Sequence, residues 1–249
     1  MSQAPSAFGE SFLAWLRDET ERAWSRCDEP SFAEMESGGF SGLTWARGTR
    51  WSEGLSETEI DAAEARWGLR FPPDYRLFLR TLHVPDRPMV GRGFRGSTSV
   101  PITGTEFYDW RSDDEAIRRA LDAPFEGLLF DVEHDVFWLR EWGDRPSRES
   151  DRRARVRAAV DAAPRLVPIF GHRYLVAEPY RAGNAVLSVH QSDIIVYGRD
   201  LRDYLVRELV GESGIRTEER VPDIPFWGPF CSGDVFVDAS ESEESPKRL

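Results

Sequence analysis

The chain has 249 residues, of which 40% are hydrophobic, and its 9 Trp and 15 Phe supply enough apolar material for one large core. Its formal net charge is −12 and its sequence pI is about 4.9, which disfavours direct binding to nucleic acid backbones and suits a basic partner. Mean hydropathy is −0.49 and no run approaches the roughly 18 consecutive apolar residues of a membrane span, which argues against a transmembrane protein.

The first predicted element is an amphipathic helix over residues 8–24, where large apolar side chains recur at helical spacing. Charged residues interrupt this early apolar stretch, so it lacks the continuous apolar run of a secretory signal peptide. The two cysteines, Cys27 and Cys231, have no ligand-like spacing, which favours a reducing compartment. We therefore expect a soluble, cytoplasmic protein. A Gly- and Ser-rich linker is predicted over residues 37–48.

The clearest local signal is the start of the second predicted helix. Ser56 and Glu59 have the spacing of a capping box, in which each side chain satisfies a backbone N–H at the start of a helix. Leu55 and Ile60 occupy the positions of a hydrophobic staple around this cap. Gly68 is then expected to end the helix.

A third amphipathic helix is predicted directly afterwards. Pro73 suits a first helical turn, and apolar residues recur at i, i+3, i+4 and i+7 over 75–82. Residues 87–105 are rich in Gly, Pro, Ser and Thr, which predicts a long loop with one short strand at 100–102. The glycine-rich stretch 91–96 lacks the Lys-Ser/Thr of a phosphate loop and is interpreted as a surface loop.

The middle of the chain is predicted to mix helices with short extended segments. A helix over residues 113–121 can be capped by Ser112. The short apolar runs 128–130 and 136–139 are interpreted as strands or buried extended segments. Residues 151–163 are charged and rich in Ala, which predicts a solvent-exposed helix.

The pattern then changes to the period of strands. Runs rich in β-forming residues predict a sheet at 166–170, 174–177, 185–189 and 194–197. Asp200 can cap a helix whose apolar face continues to Leu209. The prolines and aromatics after Gly211 predict a segment that packs without regular structure, and the acidic residues 238–249 are expected to be disordered.

Taken in order, these segments resemble the SUKH superfamily, in its Smi/Knr-type branch. The motifs that carry the resemblance are the run 55–60 with Glu64, Trp67-Gly68 and Phe71-Pro72-Pro73-Asp74-Tyr75, then 127–135 with Phe137-Trp138, and finally 188–195 with Tyr197-Gly198 and the helix 200–209. The resemblance covers about residues 50 to 210 and depends on the order and spacing of the motifs. Lys247 is the only lysine, which indicates a GC-rich, bacterial source.

The resemblance implies an α+β fold with a single, mainly antiparallel sheet flanked by helices, and an extra N-terminal helix outside it. The expected parts are an N-terminal helix and linker (1–48), the SUKH-like domain (49–211), an irregular Pro and aromatic extension (212–237) and an acidic tail (238–249). Bacterial relatives are regarded as immunity proteins that neutralise toxins, and the fungal relative regulates cell-wall synthesis through protein contacts. The family defines no catalytic residues.

We therefore predict a non-catalytic protein-binding module, an immunity protein that binds a basic toxin domain, with no cofactor, no metal, no direct nucleic acid contact and no membrane contact. Aromatic side chains beside charged ones are typical of binding surfaces. The candidate partner-binding residues on this reasoning are Asp131, Glu133, Asp135, Trp138, Glu141 and Trp142.

Other interpretations of the same residues stay open at this stage. The acids of this stretch could hold a hard cation or form a plain solvated loop, and the two tryptophans could belong to the core. The protein could be a housekeeping regulator or scaffold. A hydrolase would use residue types found together in one short stretch, namely Ser188, His190, Ser192 and Asp193.

Overall fold

The computed structural model describes residues 3–27, 42–95, 98–104, 107–211 and 223–236. Its helices are α1 (Glu10–Trp24), α2 (Glu57–Trp67), α3 (Pro73–Thr81), α4 (Asp114–Glu133), α5 (Glu149–Ala162), α6 (Leu201–Val210) and α7 (Gly228–Ser232). Its strands are β1 (Gly42–Thr44), β2 (Met89–Arg95), β3 (Thr98–Gly104), β4 (Leu166–Phe170), β5 (Arg173–Val176), β6 (Val186–His190) and β7 (Asp193–Gly198). Short 3-10 helices cover Arg140–Trp142 and Asp234–Phe236. None of the helices in these ranges combines the length and apolar character needed to cross a lipid bilayer.

The strands form antiparallel sheets among the helices, which confirms the α+β class. The four-stranded sheet has the order β4-β5-β6-β7, and each strand begins and ends within one residue of its predicted run. A second sheet, of order β1-β2-β3, was not predicted. The expectation of a single sheet is therefore wrong for the described part of the chain.

The second sheet corrects the interpretation of residues 87–105 as a loop. β2 and β3 pair along their whole length, from Met89 opposite Gly104 to Arg95 opposite Thr98, and β1 pairs with β2. The stretch 91–96 consequently lies within β2 as far as Arg95. Glycine has a low intrinsic preference for strands, so these strands depend on pairing with each other, which no local pattern indicates.

The four-stranded sheet buries apolar side chains on both faces. Val167, Ile169 and Leu175 belong to a core cluster that includes residues of α1, α2, α3 and α6. Tyr174 and Val176 belong to a second cluster, with the C-terminal half of α4, α5 and the segment around α7. Because successive strand residues point to opposite faces, the sheet lies between two layers of helices.

α1 belongs to the first of these clusters. Phe12, Leu13 and Leu16 are fully buried, and α1 contacts both α3 and α6. The indole N–H of Trp51, which lies in the region predicted as the SUKH-like domain, donates to Thr20 Oγ1 at 2.9 Å. One core therefore includes residues on both sides of the boundary predicted at residue 48. Residues 37–41 of the predicted linker lie outside the described residues, and the rest of it, 42–48, begins with β1.

The predicted cap of α2 is confirmed. Ser56 Oγ accepts a hydrogen bond from the N–H of Glu59 at 3.3 Å, and the Glu59 carboxylate accepts one from the N–H of Ser56 at 2.7 Å. Leu55 and Ile60 are both buried, as the staple requires. Gly68 ends the helix in the left-handed conformation with φ of 61°. α3 likewise begins at the proline predicted for its first turn.

α4 continues well past the predicted end at residue 121, so the run 128–130 is helical and its interpretation as a strand is wrong. Pro124 obscured this helix because proline has no N–H to donate to the carbonyl four residues earlier. That carbonyl, on Ala120, accepts a hydrogen bond from the Tyr174 hydroxyl at 2.9 Å. A side chain from the sheet thus replaces the missing helical hydrogen bond.

The segments on either side of α4 differ from their predictions in smaller ways. The run 136–139, which was also predicted to be extended, pairs with no strand and leads into the 3-10 helix at Arg140–Trp142. Ser112 does not cap α4, since its hydroxyl donates to Asp109 Oδ2 at 2.8 Å. The charged helix predicted over 151–163 is confirmed as α5.

The end of the described chain is more regular than predicted. α6 is capped as expected, because Asp200 Oδ1 accepts from the N–H of Asp203 at 2.7 Å. After Gly211, however, α7 forms a short helix, and the indole N–H of Trp227 donates to the Pro164 carbonyl at 2.8 Å. The described part of the predicted extension, residues 223–236, therefore packs on the domain with helical structure, whereas residues 212–222 lie outside the described residues. The predicted tail, 238–249, lies outside the described residues.

Candidate protein-binding surface

The predicted partner-binding residues fall in one stretch, residues 130–148, which we call the α4–α5 segment. It contains the last turn of α4 and the connection to α5. Asp135 adopts the left-handed conformation with φ of 60°, and the N–H of Val136 then donates to the Asp131 carbonyl at 2.9 Å. The chain reverses at this point because these two features end the helix.

Asp131 lies inside the protein, where it fixes α4 to the turn between β6 and β7. Its side chain is buried, with 6% relative exposure. Its carboxylate accepts hydrogen bonds from the N–H of Ser192, at 2.9 Å, and from the Ser192 hydroxyl. Gly127 lies against the same turn, where an added Cβ would be 2.9 Å from Cα of Gln191. Asp131 is thus a structural anchor, and it contributes nothing to an exposed acidic edge.

Glu133 and Asp135 reach the surface, but each is paired with an arginine. Arg152 forms an ion pair with Glu133 and holds the pKa of that carboxyl below its ordinary value. Arg145 forms an ion pair with Asp135 and also donates to the Val132 carbonyl. Both arginines therefore brace the α4–α5 segment and neutralise two of its acids.

The two tryptophans of the segment are packed together. Their ring centroids are 5.0 Å apart with nearly perpendicular planes. Trp142 is buried, and Trp138 is partly exposed with its indole N–H donating to the Gly143 carbonyl at 2.7 Å. Glu141 between them is exposed. The six predicted residues therefore share one segment, but Asp131 and Trp142 belong to its interior.

The sequence interpretation missed the exposed apolar side chains of the segment. Phe130 and Val136 each keep 49% relative exposure, and the Phe130 ring stacks on the imidazole of His134 with centroids 4.0 Å apart. The described residues include only two other large hydrophobic side chains that are exposed, Tyr180 and Ile195. The available signal was helical spacing, which places Phe130 away from the buried face of α4 once the helix is extended.

The two serines of the hydrolase interpretation form hydrogen bonds with other residues. The Ser188 hydroxyl accepts a hydrogen bond from Arg173 Nη1 at 2.8 Å, and the Ser192 hydroxyl is bonded to Asp131. His190 and Asp193 lie opposite each other across the β6–β7 pair. The structure therefore uses these two hydroxyls to join strands and helix.

The acids of the α4–α5 segment point to different partners and do not converge. Across the described ranges, no group of three or more His, Cys, Asp or Glu side chains is placed to hold a metal ion. What the segment presents is a braced surface with apolar side chains beside paired charges. No family model, curated protein or solved structure matches this chain, so its geometry carries the functional inference.

Proposed function

We propose that this protein is a non-catalytic binding module of the SUKH type, which acts in the cytoplasm as an immunity protein by binding and blocking a basic toxin domain. The observation that carries the proposal is the exposure of Phe130 and Val136 on the α4–α5 segment. Exposed aromatic side chains contribute strongly to binding when a partner covers them and excludes water.

The bracing of the α4–α5 segment supports this role. Two of its acids, Asp135 and Glu133, are held by Arg145 and Arg152, and Arg152 also donates to the Ser147 carbonyl at 2.9 Å. Association orders side chains and loops, which opposes binding. A segment that is already ordered loses less entropy, so more of the contact energy appears as affinity.

The net charge of −12 indicates the kind of partner. An acidic protein attracts a basic one over distances comparable with the Debye length, which speeds their encounter and makes it sensitive to salt. Many toxins that act on nucleic acids are basic, because they must attract phosphate backbones. We therefore expect the apolar side chains to stabilise the complex and the overall charge to speed its formation.

The first experiment is a pull-down of the full chain with the product of each neighbouring gene, together with a toxicity assay in cells. We expect a stable complex with a basic toxin, slower association at high salt, and protection of cells that produce both proteins. If the neighbouring effectors neither bind nor are neutralised, the immunity proposal is wrong. Selective binding to a resident cellular protein would favour a regulatory or scaffold role.

The second experiment tests the surface itself. Phe130→Ala should weaken the complex by at least tenfold, since removal of a central aromatic side chain costs about 2 kcal/mol or more. The matched control is Tyr180→Ala, because Tyr180 has a similar relative exposure of 42% and lies outside the α4–α5 segment. Equal effects of the two substitutions on the dissociation constant would show that the partner binds elsewhere.

A further inference from the structure

A cavity of about 270 Å³ lies where α2, α4, α5 and the C-terminal segment meet. Its apolar lining includes Leu121, Leu166 and Trp227. The cavity is partly open to solvent and is close in size to the smaller pockets that hold organic ligands. It is separate from the α4–α5 segment.

The wall of this cavity is rich in arginine although the whole chain is acidic. Arg118, Arg157 and Arg165 line it, opposed by the carboxylates of Asp122 and Asp161. Nη1 of Arg157 is 3.8 Å from Oδ1 of Asp161, which is a long ion pair. Within the described residues, neither Arg118 nor Arg165 forms an ion pair through its side chain, so two guanidinium groups remain available to an anion.

Arg157 is held in place before any ligand arrives. Its guanidinium carbon is 3.4 Å from the centroid of the Phe125 ring, a cation–π contact. A positioned guanidinium presents a rigid fork of N–H donors, which matches the two oxygens of a carboxylate. The charged wall therefore includes at least one preorganised donor.

Trp67 supplies a second, independent observation. It lines the cavity, and its indole N–H is buried without a hydrogen-bond acceptor in the described structure. A buried N–H without a partner is unfavourable and uncommon in folded proteins. Because this N–H has almost no solvent-accessible surface, an oxygen atom of a bound ligand reaches it only if the indole turns toward the cavity.

We infer that this cavity binds a small organic carboxylate with a flat apolar body. The carboxylate pairs with the guanidinium groups of Arg118 and Arg165, which have no carboxylate partner within the described residues, beside the positioned guanidinium of Arg157. The apolar body lies on Leu166 and Trp227. The site is distinct from the protein-binding surface, so its occupancy does not depend on the proposed toxin.

The test is isothermal titration calorimetry of the full chain with naphthoate and with its neutral analogue naphthamide. We expect saturable binding of naphthoate at submillimolar to millimolar concentration and binding of naphthamide that is about tenfold weaker, because the amide lacks the charge that the arginines recognise. Equal affinities for the two probes, or no saturable binding of naphthoate, overturn the inference.

A matched pair of variants locates the site. Arg118→Gln should weaken naphthoate binding about fivefold to tenfold, whereas Arg119→Gln should leave it unchanged. Arg119 is the next residue on α4, but its guanidinium pairs with Glu115 and does not line the cavity. Circular dichroism of both variants tests whether each is folded. If Arg119→Gln weakens binding as much as Arg118→Gln, the anion binds through general charge and the inferred site is wrong.

Discussion

The buried imidazole of His83 makes the stability of this protein depend on pH. Nε2 of His83 is 3.3 Å from the N–H of Trp110, and Nδ1 is 3.1 Å from Arg111 Nη1. Burial lowers the pKa of His83 to about 4, and the charge of Arg111 adds to this, against the opposing effects of Asp109 and Glu59. The folded protein therefore favours neutral His83.

The size of the effect follows from the difference between the pKa of His83 in the folded state and in the unfolded state. An unfolded histidine has a pKa of about 6.5, so between pH 6.5 and pH 4 the unfolded chain binds a proton that the folded chain does not. The stability contribution of neutral His83 is present above pH 6.5 and is lost as the pH falls toward 4. Between pH 7 and pH 5 this lowers the free energy of unfolding by about 2 kcal/mol.

Urea unfolding of the wild type and of His83→Asn at pH 7 and pH 5 measures this contribution. Asn is chosen because His83 has φ of 58°, a left-handed conformation that Asn tolerates well. The difference in unfolding free energy between the two pH values should be about 2 kcal/mol smaller in the variant. His172, whose pKa is lowered by burial, is present in both proteins and cancels. An unchanged pH dependence in His83→Asn would refute the reasoning.

Tyr174→Phe should destabilise the protein by about 1–2 kcal/mol, because the Ala120 carbonyl loses the hydroxyl that replaces its helical hydrogen bond. Pro124→Ala in the same background should recover part of this in urea unfolding, since alanine restores the N–H; additive effects of the two substitutions would contradict the account. Asp131→Ala should lower stability by about 2–3 kcal/mol by leaving the N–H and hydroxyl of Ser192 without an acceptor. Asp131→Asn, which keeps one acceptor oxygen, should cost less, and thermal unfolding distinguishes the two.

Elements whose signals are local could be predicted from the sequence. The start of α2 needs only Ser56, Glu59 and the flanking apolar residues, all within one helical turn. The strands of the four-stranded sheet are runs of β-forming residues bounded by turn residues, and their limits were predicted closely. For α2, the stabilising partners lie close together in the chain. For the strands, the run of apolar β-forming residues itself indicates that the segment is buried.

Elements that depend on distant partners could not be predicted. α4 passes through Pro124 because Tyr174, fifty-four residues away from Ala120, supplies the missing hydrogen bond. β2 and β3 contain glycines and a proline and are strands only by virtue of their pairing. Intrinsic propensity is a weak guide where tertiary contacts of this kind decide the outcome.

At the candidate surface, too, local patterns could be predicted and the effects of distant contacts could not. The sequence pattern grouped six candidate residues, acidic and aromatic, and the structure places all six in one segment. Which side chains face solvent depends on the helical continuation of α4, which buries Asp131 and exposes Phe130. The pairing of Glu133 with Arg152, nineteen residues further along, follows from the packing of α5 on α4.

The contact between Gly127 and Gln191 couples the outer surface to the sheet. Because no side chain separates α4 from the hairpin of β6 and β7, the helix and the hairpin cannot shift independently. Phe130 lies less than one helical turn from Gly127. A partner that binds Phe130 consequently also restricts the motion of this hairpin. Amide exchange of the hairpin should slow on binding, which makes backbone protons of the sheet a remote readout of occupancy.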